Sequence, residues 1–268
     1  MLHEIASIFT DELQNAINTG GREPQIVQNF VIALRSHSFP SAVEVRTAFI
    51  HQKPYAFFAN PPSLCGKIKC EVGDLAYVIK RVRGQAIIDH RVCFAQAKRV
   101  SGDIATVEAH QLEFYVRLYN LIFRFGNSVY TLGGVRPILF RHLTRSTSFG
   151  HYLLLGSPNT FVAKPSLIDT QDPQNSSNFD FVIPPLCPHC LNTRRPLRGF
   201  FDYETFLLNF LELKGLGPSI TRQVRDFVTI IYKRVGWDID PPEETEGYFA
   251  ESKSGGFGII EIKISLAE

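Results

Sequence analysis

Residues 71–99 read EVGDLAYVIKRVRGQAIIDHRVCFAQAKR. Two apolar runs, residues 74–82 and 86–98, flank the turn Arg83-Gly84, which is the pattern of an antiparallel β-hairpin. Both runs are apolar at alternating and at intervening positions, as in central strands that are covered on two faces. With the turn near Gly84, we expect Asp74 to lie opposite residues 93–98. The stretch therefore predicts a sheet with this hairpin at its centre.

Polar residues stand at the open end of the predicted hairpin. Asp74 begins the first strand, whereas Gln96 and Lys98 end the second. Because side chains alternate along a strand, Gln96 and Lys98 point to one face, which Val92 and Phe94 share farther in. The pattern predicts a polar group at the rim of an otherwise buried face.

These side chains suit the hydrolysis of a phosphodiester. Mg²⁺ and similar cations prefer oxygen ligands, and Asp74 and Gln96 offer a carboxylate and an amide carbonyl. A bound cation lowers the pKa of its water and polarises a phosphate. Lys98 can orient that water, help to deprotonate it and neutralise charge in the transition state. The three residues are the candidate catalytic set, with Mg²⁺ or Mn²⁺ as cofactor.

Asp74 with Gln96-Ala97-Lys98 resembles the motif of the PD-(D/E)xK nuclease superfamily. The Gln-x-Lys form is similar to that of the Mrr-type restriction endonucleases, and the resemblance extends over about residues 65–120. It implies a restriction-endonuclease-like α/β fold, in which helices flank a mixed central sheet. It also implies an endonuclease that requires Mg²⁺ or Mn²⁺, with DNA as the expected substrate.

The chain departs from the family pattern at several points. No proline precedes Asp74, and Gln96 replaces the usual acid. Many family members carry a further acid on a helix that precedes the sheet, and Glu12 is the candidate here, with Glu4 as the alternative. Glu71, three residues before Asp74, is another candidate ligand or a solvated neighbour.

The resemblance also suggests a biological setting. Nucleases of this kind include restriction and anti-phage defence effectors, which often act as homo-oligomers or within a defence complex. The alternative is a nucleic-acid- or partner-binding module that keeps a nuclease-like fold and has no turnover. An ordinary hairpin with polar ends remains the simplest structural explanation of the motif.

The distribution of charge is compatible with a polyanionic partner. The net charge is only +2, but residues 67–100 hold eight Lys or Arg against three acids. Between residues 111 and 163 there are five Arg and one acid. We expect nucleic-acid contacts from basic residues in this part of the chain, namely Arg99, Arg136, Arg141 and Arg145. A basic outer face is the competing interpretation.

The cysteines and the hydropathy pattern bear on cofactor and location. Cys187 and Cys190 form a tight knuckle that supplies half of a zinc site, which Cys65 and Cys70 would complete. The alternative is a loop with incidental cysteines. Five cysteines in this arrangement do not suggest a secreted disulfide framework, and no apolar run reaches the length of a membrane span. We expect a cytoplasmic protein with no membrane partner.

The chain divides into three regions by composition. Residues 1–168 are predicted to form the nuclease core, 169–198 a loop or linker that carries the Cys knuckle, and 199–268 a helical region with a closing strand, which can pack as part of one domain. In that last region, Glu261-Ile262-Lys263 imitates the metal-site motif. The sequence favours a solvent-edged final strand there, since no acid opens an apolar strand upstream.

Overall fold

The computed structural model describes residues 1–50, 55–58, 69–116, 121–125, 128–131, 150–163, 178–183, 200–212, 228–229, 231–232, 235–237 and 256–267. These residues form a mixed α/β structure in which helices flank a central mixed sheet. The coarse fold class that the sequence predicts is therefore confirmed. No helix within the described ranges is long and apolar enough to cross a membrane.

The strands are as follows, in chain order: β1 Val43–Ile50, β2 Tyr55–Phe58, β3 Lys69–Glu71, β4 Leu75–Arg83, β5 Ala86–Ser101, β6 Ile104–Glu108, β7 Leu121–Phe125, β8 Ser128–Thr131, β9 Gly150–Leu155, β10 Phe161–Ala163, β11 Asn178–Val182, β12 Phe200–Asp202 and β13 Phe257–Leu266. The central sheet has the order β1-β13-β4-β5-β9-β10-β12, and β6 and β11 extend from β5. β13 is parallel to β4, and β9 is parallel to β5. A second, antiparallel sheet has the order β3-β2-β7-β8.

Four helices have defined bounds: α1 Leu2–Asn18, α2 Glu23–Ala33, α3 Ala109–Val116 and α4 Tyr203–Leu211. In α1, Ile5, Phe9 and Leu13 recur every four residues and are buried. Gly20 and Gly21, at φ 78° and 112°, take the chain out of that helix. The Asp202 side chain caps α4 by accepting a hydrogen bond from the Thr205 N–H at 2.8 Å.

The sheet is covered on two faces by two separate clusters of buried residues. α1, α2 and α4 pack on the face that we call the α1 face, together with Leu75, Tyr77 and Ile79 of β4. α3 packs on the opposite face, called the α3 face, which receives Ala76 and Val78. Because alternate residues of β4 enter different clusters, this strand is buried on both sides, as its continuous apolar run predicts.

The predicted hairpin at residues 74–98 is confirmed. Leu75 pairs with Ala95, and the strands turn at Gly84, where φ is 56°. The Asp74 N–H donates to the Ala95 carbonyl at 2.9 Å, so Asp74 lies opposite the end of β5. The register therefore brings the predicted site residues to one end of the hairpin.

Two other regions differ from the expectation. Residues 106–125, which the spacing of Leu112, Tyr115 and Val116 predicts to begin as a helix, instead contain the end of β6, the short α3 and β7. Within the expected loop 169–198, residues 178–182 form β11, in which Phe179 and Phe181 pair with Val107 and Ala105 of β6. Long-range strand pairing determines both outcomes, and local periodicity does not reveal it.

The final strand is central, so the expectation of a solvent-edged strand is wrong. β13 lies between β1 and β4, and Glu261 is only 1% exposed. The Glu261 carboxylate contacts Lys80 Nζ at 2.7 Å and Arg46 Nε at 2.9 Å, and it also accepts from the Tyr232 hydroxyl. This Glu261 cluster is an ion-pair network that fastens residues around Tyr232 to the sheet.

The Glu261 cluster makes stability depend on pH. Burial alone would raise the pKa of Glu261, but Lys80 and Arg46 outweigh it and hold the pKa below its ordinary value of 4.5. The stabilising contribution is therefore complete above that value and is lost as the pH falls through the folded-state pKa. We expect urea unfolding between pH 6 and about pH 3 to show a smaller loss of stability in Glu261→Gln than in the wild type. Equal losses in both proteins would contradict this assignment.

Candidate active site

The position of Asp74 depends on a close approach of three chain segments. At Gly73, a Cβ atom would lie 2.9 Å from the Ala95 carbonyl oxygen and 3.1 Å from the Tyr115 hydroxyl. At Gly150, a Cβ atom would lie 2.2 Å from the Tyr115 ring. Glycine at both positions lets α3 pack directly over the start of β4 and the start of β9. The Asp74 side chain is thereby enclosed between the sheet and α3.

Asp74 and Gln96 are in direct contact. Gln96 Nε2 donates to Asp74 Oδ2, and the same oxygen accepts from the Ala97 N–H at 2.9 Å. Asp74 is 1% exposed and Gln96 is 3% exposed. The structure therefore brings together the carboxylate and the amide that the sequence selected. The expectation that they lie at the rim is wrong, because α3 packs over the start of β4 and buries both side chains.

The carbonyl oxygen of the Gln96 amide is not satisfied by the described residues. Oε1 of Gln96 is buried and finds no hydrogen-bond donor within the described part of the chain. Leaving a buried acceptor without a partner costs about 1–3 kcal/mol. A half-turn of the amide would direct Oε1 toward the Asp74 carboxylate, and a divalent cation between two facing oxygen acceptors satisfies both of them. The donor set of this pair thus fits a hard divalent cation.

Lys98 lies on the same side of β5 as Gln96, two residues farther along. Its side chain is 12% exposed, and Nζ lies 3.8 Å from Glu108 Oε1 at the end of β6. That separation is an ion pair and is too long for a hydrogen bond. Glu108 Oε2 also lies 3.2 Å from Nε2 of His110. The Lys98 ammonium is therefore mostly buried, and its partner Glu108 is 40% exposed.

Helix α3 adds a residue that the sequence analysis missed. Gln111 is 3% exposed, and its Oε1 has no donor among the residues that the structure describes. Gln111 lies one helical turn before Tyr115, so both side chains are on the same side of α3. The four-residue spacing of Gln111 and Tyr115 was the available signal. Gln111 is therefore a second buried amide with an unsatisfied oxygen, on the side of α3 that carries Tyr115.

Tyr115 fixes α3 over the site. Its hydroxyl donates to the Val72 carbonyl at 2.8 Å. Burial raises the pKa of Tyr115 well above its ordinary value, and the nearby Tyr152 and the Asp74 carboxylate raise it further. The phenol therefore remains protonated and serves as a donor that ties α3 to the chain just before Asp74.

Three of the predicted additional residues are placed elsewhere. The Glu12 carboxylate contacts His37 Nε2 at 2.6 Å, on a helix that packs on the α1 face and not on the α3 face of Asp74. Glu71 ends β3, opposite Tyr55 in the smaller sheet. The Arg99 guanidinium donates to the Gly21 carbonyl at 2.8 Å and links β5 to the turn between α1 and α2. The side chains of Glu12 and Arg99 thus contact His37 and the turn between α1 and α2, and no contact joins them to the Asp74–Gln96 pair among the described residues.

The other predicted residues lie outside the described part of the chain. They are the basic residues Arg136, Arg141 and Arg145 and the knuckle residues Cys187 and Cys190. The proposed zinc partner Cys65 also lies outside that part, whereas Cys70 is buried and its thiol donates to the Glu71 carbonyl at 3.2 Å. The zinc hypothesis therefore remains a prediction.

The described residues contain no group of three or more His, Cys, Asp or Glu side chains arranged around a common metal position. A site built from one carboxylate and amide or backbone oxygens does not require such a group. The fit to a cation therefore depends on the Asp74–Gln96 pair and on the unsatisfied oxygen of the Gln96 amide.

Comparisons with protein-family models, with curated proteins and with solved structures found no match to this chain. The functional argument consequently depends on the site itself.

Proposed function

We propose that this protein is a metal-dependent nuclease of the PD-(D/E)xK type with a restriction-endonuclease-like fold, and that it hydrolyses phosphodiester bonds of DNA. The observation that carries the proposal is the contact between Asp74, just before β4, and Gln96 in the second half of β5, with Lys98 on the same face. The central mixed sheet with helices on both faces is compatible with that fold.

Each residue has a defined chemical role in the proposed reaction. Asp74 and the Gln96 carbonyl would hold Mg²⁺ or Mn²⁺, which lowers the pKa of a coordinated water and polarises the phosphate. Lys98 orients the attacking water and stabilises the negative charge that develops on the phosphate oxygens. Glu108 holds the Lys98 ammonium at 3.8 Å and so limits the positions that it can occupy.

The proposal is tested by incubating plasmid DNA, single-stranded DNA and RNA with the protein and Mg²⁺ or Mn²⁺. We expect cleavage with either cation and none in EDTA. Absence of cleavage of every substrate, by pure folded protein that binds Mn²⁺, would contradict the assignment as a nuclease. The RNA sample determines whether the substrate class is DNA.

Gln96→Glu provides a more specific test of the cation site. Without a cation, the change places a second carboxylate against the buried Asp74, so we expect a lower melting temperature in EDTA. With a cation present, the introduced carboxylate should bind it more tightly than the Gln96 amide does. At saturating Mn²⁺, each tenfold gain in affinity for the cation raises the free energy of unfolding by about 1.4 kcal/mol. Thermal melts with and without Mn²⁺ measure both effects.

The matched control for this charge change is Gln14→Glu on α1, where the amide bonds only the nearby Asn18 among the described residues. We expect its melting temperature in EDTA and its shift with Mn²⁺ to equal those of the wild type. A shift with Mn²⁺ that is the same in Gln96→Glu and in the wild type would mean that Gln96 is not a ligand.

A second candidate function is favoured by the burial of the pair. Since Asp74 and Gln96 are 1% and 3% exposed, a substrate phosphate can reach them only if α3 or the Lys98 edge moves. A nucleic-acid- or partner-binding module without turnover requires no such access. Binding of DNA that persists unchanged in EDTA, without cleavage under any condition, would support the module.

The biological setting follows from analogy with the family. A restriction or anti-phage effector that acts as a homo-oligomer is the setting that we infer, since cutting both strands of a duplex requires two active centres. Sedimentation of the pure protein measures the oligomeric state, and a strictly monomeric protein that still cuts both strands would contradict it.

A further inference from the structure

Tyr152 carries a buried hydroxyl that the proposed roles leave unexplained. The residue is 0% exposed, and its hydroxyl oxygen has no hydrogen-bond partner in the part of the chain that the structure describes. Phenylalanine would fill the same space without burying a polar atom, and an unsatisfied buried hydroxyl costs about 1–3 kcal/mol. Such a group calls for a hydrogen-bond partner that the described residues do not supply.

The position of Tyr152 connects it to the candidate site. β9 runs parallel to β5, and Tyr152 is paired with Gln96 in the register. Both side chains therefore project to the α3 face from neighbouring strands. The Tyr152 ring also packs edge-to-face against Tyr115, with the ring centroids 5.6 Å apart. The Tyr152 side chain is therefore buried on the α3 face, on the strand next to the one that carries Gln96.

The unsatisfied groups of this layer are of two kinds. Gln96 Oε1 and Gln111 Oε1 are acceptors, and Gln96 Oε1 with the adjacent Asp74 carboxylate suits a cation. Tyr152 is a donor, because burial raises its pKa, and Cys70 and the Glu108 carboxylate raise it further, so it stays protonated. A donor in a layer otherwise rich in acceptors suits an anion that accompanies the cation.

We propose that the Tyr152 hydroxyl donates a hydrogen bond to a non-bridging oxygen of the nucleic-acid phosphate bound at the Asp74–Gln96 centre. The inference depends on the proposed function, because the phosphate in question is that of the substrate. Lys98 supplies a positive charge at the solvent edge of the layer, and Tyr152 supplies a neutral donor beneath it. Tyr152 is in this role a catalytic residue that contacts substrate.

The test is Tyr152→Phe, measured in two ways. Loss of a hydrogen bond to a charged group should lower kcat/KM for cleavage by about 10- to 100-fold. In a Lys98→Met background, which should bind without cutting, adding Tyr152→Phe should weaken the affinity for the same oligonucleotide in Mn²⁺. The melting temperature should not fall, since the hydroxyl has no partner in the described protein.

Tyr203→Phe is the matched control. Tyr203 is also buried, but its hydroxyl bonds that of Tyr77 at 2.8 Å on the α1 face. We expect this variant to lose about 2–4 °C in melting temperature and to keep the wild-type kcat/KM. If Tyr152 has a purely structural role, Tyr152→Phe should behave like Tyr203→Phe, with a lower melting temperature and with unchanged cleavage and affinity. That outcome would overturn the inference.

The failure of this inference and that of the proposed function are distinguishable. If the wild type cleaves and Tyr152→Phe cleaves and binds equally well, only the role of Tyr152 is rejected. If the wild type binds but never cleaves, the nuclease proposal is rejected, and the affinity measurement alone decides on Tyr152. If the wild type neither binds nor cleaves any oligonucleotide, both are rejected.

Discussion

Replacing Lys98 by methionine should reduce metal-dependent cleavage by about 100- to 1,000-fold while leaving the fold intact. The ammonium lies at the edge of the Asp74–Gln96 pair and is the positive charge on that face of β5. Methionine keeps the unbranched stem that is packed there, since the side chain is only 12% exposed. Little stability should be lost, because the contact with Glu108 is a 3.8 Å ion pair at the protein surface. Initial rates of plasmid cleavage, compared with melting curves, separate the two effects.

Lys263→Met is the matched control for this experiment. Lys263 also lies near the end of a central strand and contacts a carboxylate, that of Glu44, at 3.0 Å. Its side chain is 38% exposed and takes no part in the proposed chemistry. We expect wild-type cleavage from this variant. If Lys98→Met and Lys263→Met have equal activities, Lys98 does not act in catalysis.

Glu261→Gln should have the largest effect on stability. The substitution removes the negative charge that faces Lys80 and Arg46, and the Lys80 side chain is only 8% exposed. Breaking a buried ion pair by neutralising one partner destabilises a protein by about 3–5 kcal/mol, because the remaining charge is left uncompensated. Urea unfolding at neutral pH measures this loss as a lower midpoint with an unchanged slope.

Glu44→Gln serves as the reference for an exposed ion pair. The Glu44 side chain is 49% exposed, and its pair with Lys263 should contribute less than about 1 kcal/mol. If Glu261→Gln loses no more stability than Glu44→Gln does, the Glu261 cluster does not contribute substantially to the stability of the sheet. Adding Lys80→Met to Glu261→Gln should recover part of the loss, since it removes one of the two stranded charges.

The sequence predicted the parts of this structure that depend on local pattern. Side-chain alternation and the position of Gly84 fix the register of the hairpin, and the register alone places Asp74 beside Gln96. The same reasoning placed Gln96 and Lys98 on one face with Phe94, which is buried there. These features follow from the strand period and one turn, and they need no knowledge of the rest of the chain.

Features that depend on contacts distant in sequence were not predictable in this way. The insertion of β13 between β1 and β4 is determined by pairings across about 180–220 residues, as between Glu261 and Arg46, so the buried role of Glu261 was missed. The enclosure of Asp74 depends on Gly73 and Gly150 both admitting the Tyr115 ring, which no local periodicity encodes. The four-residue spacing of Gln111 and Tyr115 could be seen in the sequence. Only the packing of α3 over β4 shows that this side of the helix is buried.

The most direct test of the account is the location of bound Mn²⁺ by anomalous scattering from crystals of the protein. The account predicts a peak within metal–oxygen bonding distance of the Asp74 carboxylate and of Gln96 Oε1, with the amide turned from the orientation in which Nε2 donates to Asp74. A structure in saturating Mn²⁺ that retains this amide contact, with no cation between the two side chains, would contradict it.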